Sequence, residues 1–182
     1  RGWLYPMCYN PQATEANIQG VWNHIRVEAL GPVIRTYING VNFANLVDDK
    51  RTEGFIALQV HSIGNESLSG KEIRWRNIRI LTENVESYMH RDKELGPEVS
   101  YLDNRLTASQ VRDGWKLLWD GKTTRGWRGA RLEGFPAKGW KTENGMLSVE
   151  ASGGAESAHG GDIITVDTYR DFILEVDFRI SE

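Results

Sequence analysis

From residue 22 to residue 80, apolar and polar side chains alternate in short runs divided by turn residues. In the first run Ile25, Val27 and Ala29 alternate with His24, Arg26 and Glu28, the period of a half-buried strand. The pattern predicts that Ile25, Val27 and Ala29 face inward. Gly31-Pro32 breaks it, and residues 33–38 form a second predicted strand. Asn39-Gly40 is then a two-residue hairpin signal, because both positions tolerate positive φ. A third strand returns over 41–46, and after a charged loop a fourth is predicted over 55–61. Residues 62–70, rich in Gly, Ser and Asn, read as a surface loop. A fifth strand over 73–80 changes phase, with Ile73 and Trp75 on one parity and Ile78 and Ile80 on the other. A bulge near Asn77 would turn all four inward.

Residues 82–105 are polar and charged, contain Gly96-Pro97 and hold no sustained period, so they read as a linker. Thr107 and Gln110 then form a capping box, opening a short helix that Gly114 ends. Short strands are predicted at 116–119, 139–142, 146–149, 162–166 and 172–180, with Asn144-Gly145 as a second hairpin turn. The last strand has the cleanest alternation: Phe172, Leu174, Val176, Phe178 and Ile180 are expected in the core, opposite Ile173, Glu175, Asp177 and Arg179. The chain stops two residues later with no closing turn, as a cut domain would. The pattern as a whole predicts an all-β, jelly-roll-type β-sandwich of antiparallel sheets with one short helix in the linker.

Composition changes this picture little. The 182 residues suffice for one sandwich with a core or for two incomplete pieces. A net charge of -3 with 26% charged residues suits a soluble globular protein. The absence of a basic run argues against a nucleic-acid partner, and no apolar stretch reaches membrane-spanning length. Cys8 is the single cysteine, so no intrachain disulfide and no cysteine-based zinc cluster can form. The 19 glycines fit many turns. The 7 tryptophans supply either core or platforms for sugar rings, and their positions at strand starts favour core.

Two blocks resemble the 3-keto-disaccharide hydrolase family. Gly114-Trp115-Lys116-Leu117-Leu118-Trp119-Asp120-Gly121-Lys122-Thr123, Gly126-Trp127, Gly139-Trp140, Asn144-Gly145-Met146-Leu147, Gly161-Asp162-Ile163-Ile164-Thr165 and Tyr169-Arg170-Asp171-Phe172 resemble its opening signature. Trp22-Asn23-His24, Asn39-Gly40-Val41, Gly54-Phe55-Ile56-Ala57-Leu58-Gln59-Val60-His61 and Arg76-Asn77-Ile78-Arg79-Ile80 resemble its closing signature. The closing block comes first. A tandem protein explains this order, with 1–81 the C-terminal half of a first domain, 82–113 a linker and 114–182 the N-terminal half of a second. A circular permutation, in which the halves complete one sandwich, is the alternative. The resemblance implies a concanavalin-like jelly roll and a periplasmic or extracellular location. It also implies a carbohydrate or small glycoside as partner, and cleavage of 3-keto-glycosides through removal of the C2 proton and elimination. A non-catalytic carbohydrate-binding module and a structural module of a surface protein are the competing functions.

Such chemistry needs a general base, an acid and a group that stabilises an enolate. His61 and Gln59 share the face opposite Ile56, Leu58 and Val60, so His61 is the first catalytic candidate and Gln59 a substrate-binding one. Glu175, Asp177 and Arg179 fall on one face at a spacing of two. The two carboxylates could serve as acid and base, or as ligands of a divalent cation such as calcium, and Arg179 could bind substrate. The bland alternative is a solvated strand face with salt bridges. Arg76, beside Trp75, could hold sugar hydroxyls or an enolate, or be a plain surface arginine. His159 lies in a Gly-rich loop, where histidines are usually solvated, and Tyr5 and Tyr9 could stack on sugar.

Overall fold

The structure, a computed structural model, describes residues 4–59, 72–91, 95–150 and 161–180. The chain divides into two compact units, Arg1–Leu102 and Asp103–Glu182. In the first, β1 (Ile25–Leu30), β2 (Val33–Ile38) and β3 (Val41–Val47) form an antiparallel meander. Asn39 and Gly40 take φ of 49° and 87°, so the hairpin signal folds as its chemistry dictates. The register shifts between Thr36 and Tyr37. Beyond β3, the short β4 (Val99–Ser100) pairs in parallel, Leu46 opposite Val99. A 3₁₀ turn (Met7–Tyr9), helix α1 (Pro11–Glu15) and helix α2 (Val85–Tyr88) complete this unit.

In the second unit, helix α3 (Ala108–Arg112) opens on the expected capping box. Thr107 Oγ1 accepts from the Gln110 amide at 3.1 Å, and the Thr107 amide donates to Gln110 Oε1 at 2.9 Å. Strands β5 (Trp127–Gly129) and β8 (Ile163–Thr165) pair antiparallel, as do β6 (Trp140–Glu143) and β7 (Met146–Val149) around the Asn144-Gly145 turn. Among the described residues no helix is long and apolar enough to cross a membrane.

The expected all-β, concanavalin-like jelly-roll sandwich is not what forms. The described strands make three open sheets, of four, two and two strands, one with a parallel edge. Among the described residues four short helical segments stand where one was expected. The physical reason lies in the segments with the best alternation. Residues 55–59, 73–80 and 172–180 form no strand and have no ladder partner among the described residues, although the described part of each has a strand's periodicity. Alternation specifies a face for a strand, and says nothing of which strand will pair with it. Phe172, Leu174, Val176, Phe178 and Ile180, expected in the core, are 66%, 60%, 72%, 83% and 81% exposed. Asn77, the expected bulge, does take a left-handed φ of 55°, but in a segment with no ladder to bulge from.

In β1 the expected orientation is reversed. Ile25 and Val27 are 66% and 63% exposed, whereas Glu28 is 4% exposed. Register places Arg26, Tyr37 and Asn42 side by side, and Glu28, Arg35 and Asn45 beside them, on one polar face. Tyr88, His90, Gly96 and the N-terminal Asn10 all bond to residues of that face. A contact supplied from sixty residues downstream leaves no trace in the local period.

Candidate functional site

Covering the polar face of β1–β3 requires that its carboxylate be paired. Glu28 Oε1 accepts from Arg26 Nε at 2.7 Å, from the His90 amide at 2.9 Å and from His90 Nδ1 at 2.8 Å. The His90 ring stacks on Tyr37 with centroids 4.5 Å apart and planes 26° from parallel. Arg26 also donates through its guanidinium to the Tyr88 carbonyl, so the segment around α2 is tied to the sheet at three points. Burial pushes the Glu28 carboxyl pKa upward, but the hydrogen bonds from His90 and Arg26 outweigh it and hold the pKa below the ordinary value. Ionised Glu28 therefore fixes the His90 tautomer with hydrogen on Nδ1, which leaves Nε2 on a side chain one-third exposed. The pair clamps the segment in place. Local pattern reading missed it, because Glu28 reads as the polar side of an alternating strand and His90 lies in a stretch without period.

The residues singled out from sequence are not drawn together. Arg76 places its guanidinium carbon 4.0 Å over the Trp22 ring, joining two motifs far apart in sequence through a cation–π contact. Trp22 remains half exposed, and its neighbour Asn23 is locked in place: Nδ2 donates to the Ile18 carbonyl at 2.7 Å, and Oδ1 accepts from Asn39 Nδ2 at 2.8 Å. Gln59 is exposed on a segment outside any described strand. Glu175, Asp177 and Arg179 are likewise exposed on the 172–180 segment, which has no ladder partner among the described residues. His61 and His159 lie outside the described residues. Among the described residues no three His, Cys, Asp or Glu side chains gather as metal ligands.

In the second unit Asp120 closes the turn after Trp119. Its carboxylate accepts from the amides of Lys122 and Thr123 at 2.9 and 2.6 Å and from Thr123 Oγ1 at 2.8 Å. These donors, the Thr123 amide foremost, pull its pKa down to about 2. Trp127 and Trp140 donate their indole N–H groups to the carbonyls of Leu118 and Gly161, at 2.8 and 2.9 Å. These two rings therefore act as packing, as their strand-start positions suggest.

The model of the 3-keto-alpha-glucoside-1,2-lyase-like domain family matches residues 1–81 and 114–182. The chain belongs to that family. Its members' signature residues thus lie on both sides of the unmatched stretch 82–113, which carries His90 and the capping box. A 3-keto-disaccharide hydrolase of Bacteroides thetaiotaomicron is 38% identical over 72 residues, which cover 38% of this chain and 24% of that protein. The chain thus aligns with about a quarter of that relative's length.

Proposed function

We propose that this chain comes from a carbohydrate-active hydrolase that cleaves 3-keto-glycosides or related disaccharides. The family match on both sides of the 82–113 stretch carries this reading. A ketone at C3 acidifies the hydrogen on C2. A base removes that proton, the electron pair forms a C1–C2 double bond, and the C1 oxygen leaves with a proton from an acid. Water then adds across the double bond, and the net reaction is hydrolysis. In this reading His61 is the base, and Glu175 and Asp177 serve as acid and base. Gln59, Arg76 and Arg179 bind hydroxyls and the developing enolate. A divalent cation such as calcium would take carboxylate oxygens from Glu175 and Asp177, with further donors from outside that pair.

Residues 1–81 would form the C-terminal half of one family domain and 114–182 the N-terminal half of the next, joined by 82–113. His61 and the Glu175–Asp177 pair would then serve different copies of the site. The setting would be periplasmic or extracellular, where exported glycoside-cleaving enzymes meet their substrates.

The test is release of the 3-keto sugar from a 3-keto-disaccharide by the parent protein. His61→Ala and Glu175→Ala should each lower kcat by about 10²–10⁴-fold, the usual worth of a general acid or base. Binding of unoxidised sugars without any turnover of the keto substrate would replace the enzyme reading with that of a carbohydrate-binding module.

A further inference from the structure

A second feature of the first unit uses none of the residues given a catalytic role above. Between residues 9–12 and residues 95–97 runs a cleft of about 280 Å³. That is close to the lower end of the about 300–1,000 Å³ range of small-molecule pockets, the scale of a single sugar unit. Its walls are built rather than incidental. Asn42, 4% exposed, accepts the Gly96 amide on Oδ1 at 2.9 Å and gives its Nδ2 to the Ala44 carbonyl at 3.1 Å. Asn45 donates to the Gly96 carbonyl at 3.2 Å, Tyr5 to the Pro97 carbonyl at 2.8 Å, and Asn10 to the Asn42 carbonyl at 2.6 Å. A side chain at position 96 has no room, since a β-carbon there would lie 2.7 Å from Tyr5 Oη. Burial, then the neighbouring Tyr9, push the Tyr5 hydroxyl pKa up and keep it a neutral donor.

The lining has a consistent chemistry. Tyr9, 47% exposed, is braced edge-on by Tyr5 with ring centroids 5.7 Å apart, so it is an aromatic ring already held in place. Asn10 and Gln12 add planar amides, and Leu95 and Pro97 add apolar surface. Among the described residues no charged side chain lines the cleft, so this lining offers an anionic ligand no ion pair. An aromatic ring, uncharged amides and a rigid backbone wall together match the alternating apolar faces and hydroxyls of a sugar ring.

We propose that this cleft, built from residues other than those assigned to cleavage, is a binding site for a neutral saccharide. It requires no turnover, so it stands or falls independently of the hydrolase reading.

Titration of the intact chain with cellobiose, maltose and glucuronate, followed by NMR shifts of the Tyr9 and Gln12 signals, tests it. Saturable shifts with the neutral sugars and none with glucuronate are expected. Tyr9→Ala should weaken binding about tenfold, the scale of one lost aromatic contact, and Tyr9→Phe should restore it. Because Tyr9 lies at the surface, circular dichroism should show both variants folded as the parent. No saturable shift with either neutral sugar would overturn the proposal, as would binding that Tyr9→Ala leaves intact or equal binding of glucuronate.

Discussion

Glu28 shows how much one side chain can organise when it is buried and charged. Its carboxylate, 3% exposed, gathers two donors from His90 and one from Arg26. Replacing it with glutamine removes the charge from all three bonds and should cost about 1–3 kcal/mol in a urea titration near neutral pH. The pH dependence follows from the direction of the shift. A carboxyl held below its ordinary value contributes stability that is fully present above that value and is lost as pH falls through the lower, folded one. Wild type should therefore lose stability below about pH 4.5, the ordinary carboxyl value, more steeply than Glu28→Gln. Parallel acid limbs for the two proteins would show that Glu28 does not carry the clamp. None of this was legible in sequence: a polar residue on an alternating strand reads as solvated, and its partner His90 sits 62 residues on.

At the scale of elements, local chemistry was legible and partnership was not. The Asn39-Gly40 turn is the clearest case, because the residue that permits the turn also holds its surroundings. Asn39 receives the His24 amide on Oδ1 at 2.8 Å and donates through Nδ2 to the Ala16 carbonyl at 2.7 Å. Asn39→Gly keeps the left-handed backbone but loses these bonds, and should cost about 1 kcal/mol. Asn39→Ala loses both the bonds and the easy φ of 49°, and should cost about 1 kcal/mol more. Equal midpoints for the two variants in thermal melts would mean that backbone strain plays no part. The same local logic correctly placed β2, β7 and the capping box, whose signals lie within a few residues of each other. It failed for residues 172–180, where perfect alternation met no strand, and for β1, where the covered face was chosen by a segment downstream.

For the whole molecule, the family match and the fold make different demands on the same residues. The signature blocks fall in the two units, and each unit leaves apolar segments without ladder partners among the described residues. Backbone amides in such segments exchange with water freely, whereas those of a strand paired on both sides open only with the sheet. β2 is such a strand, flanked by β1 and β3. In dilute solution, hydrogen exchange read by mass spectrometry should therefore find residues 172–180 essentially unprotected and Arg35–Tyr37 among the slowest. Exposed apolar side chains such as Phe178, at 83%, should also bind a hydrophobic dye. Raising the protein concentration supplies the contrast. Unpaired edges can pair between copies, so protection of 172–180 that grows with concentration is expected. Protection already present in a dilute monomer would mean that the segment finds a strand within its own chain, and the open arrangement would be overturned.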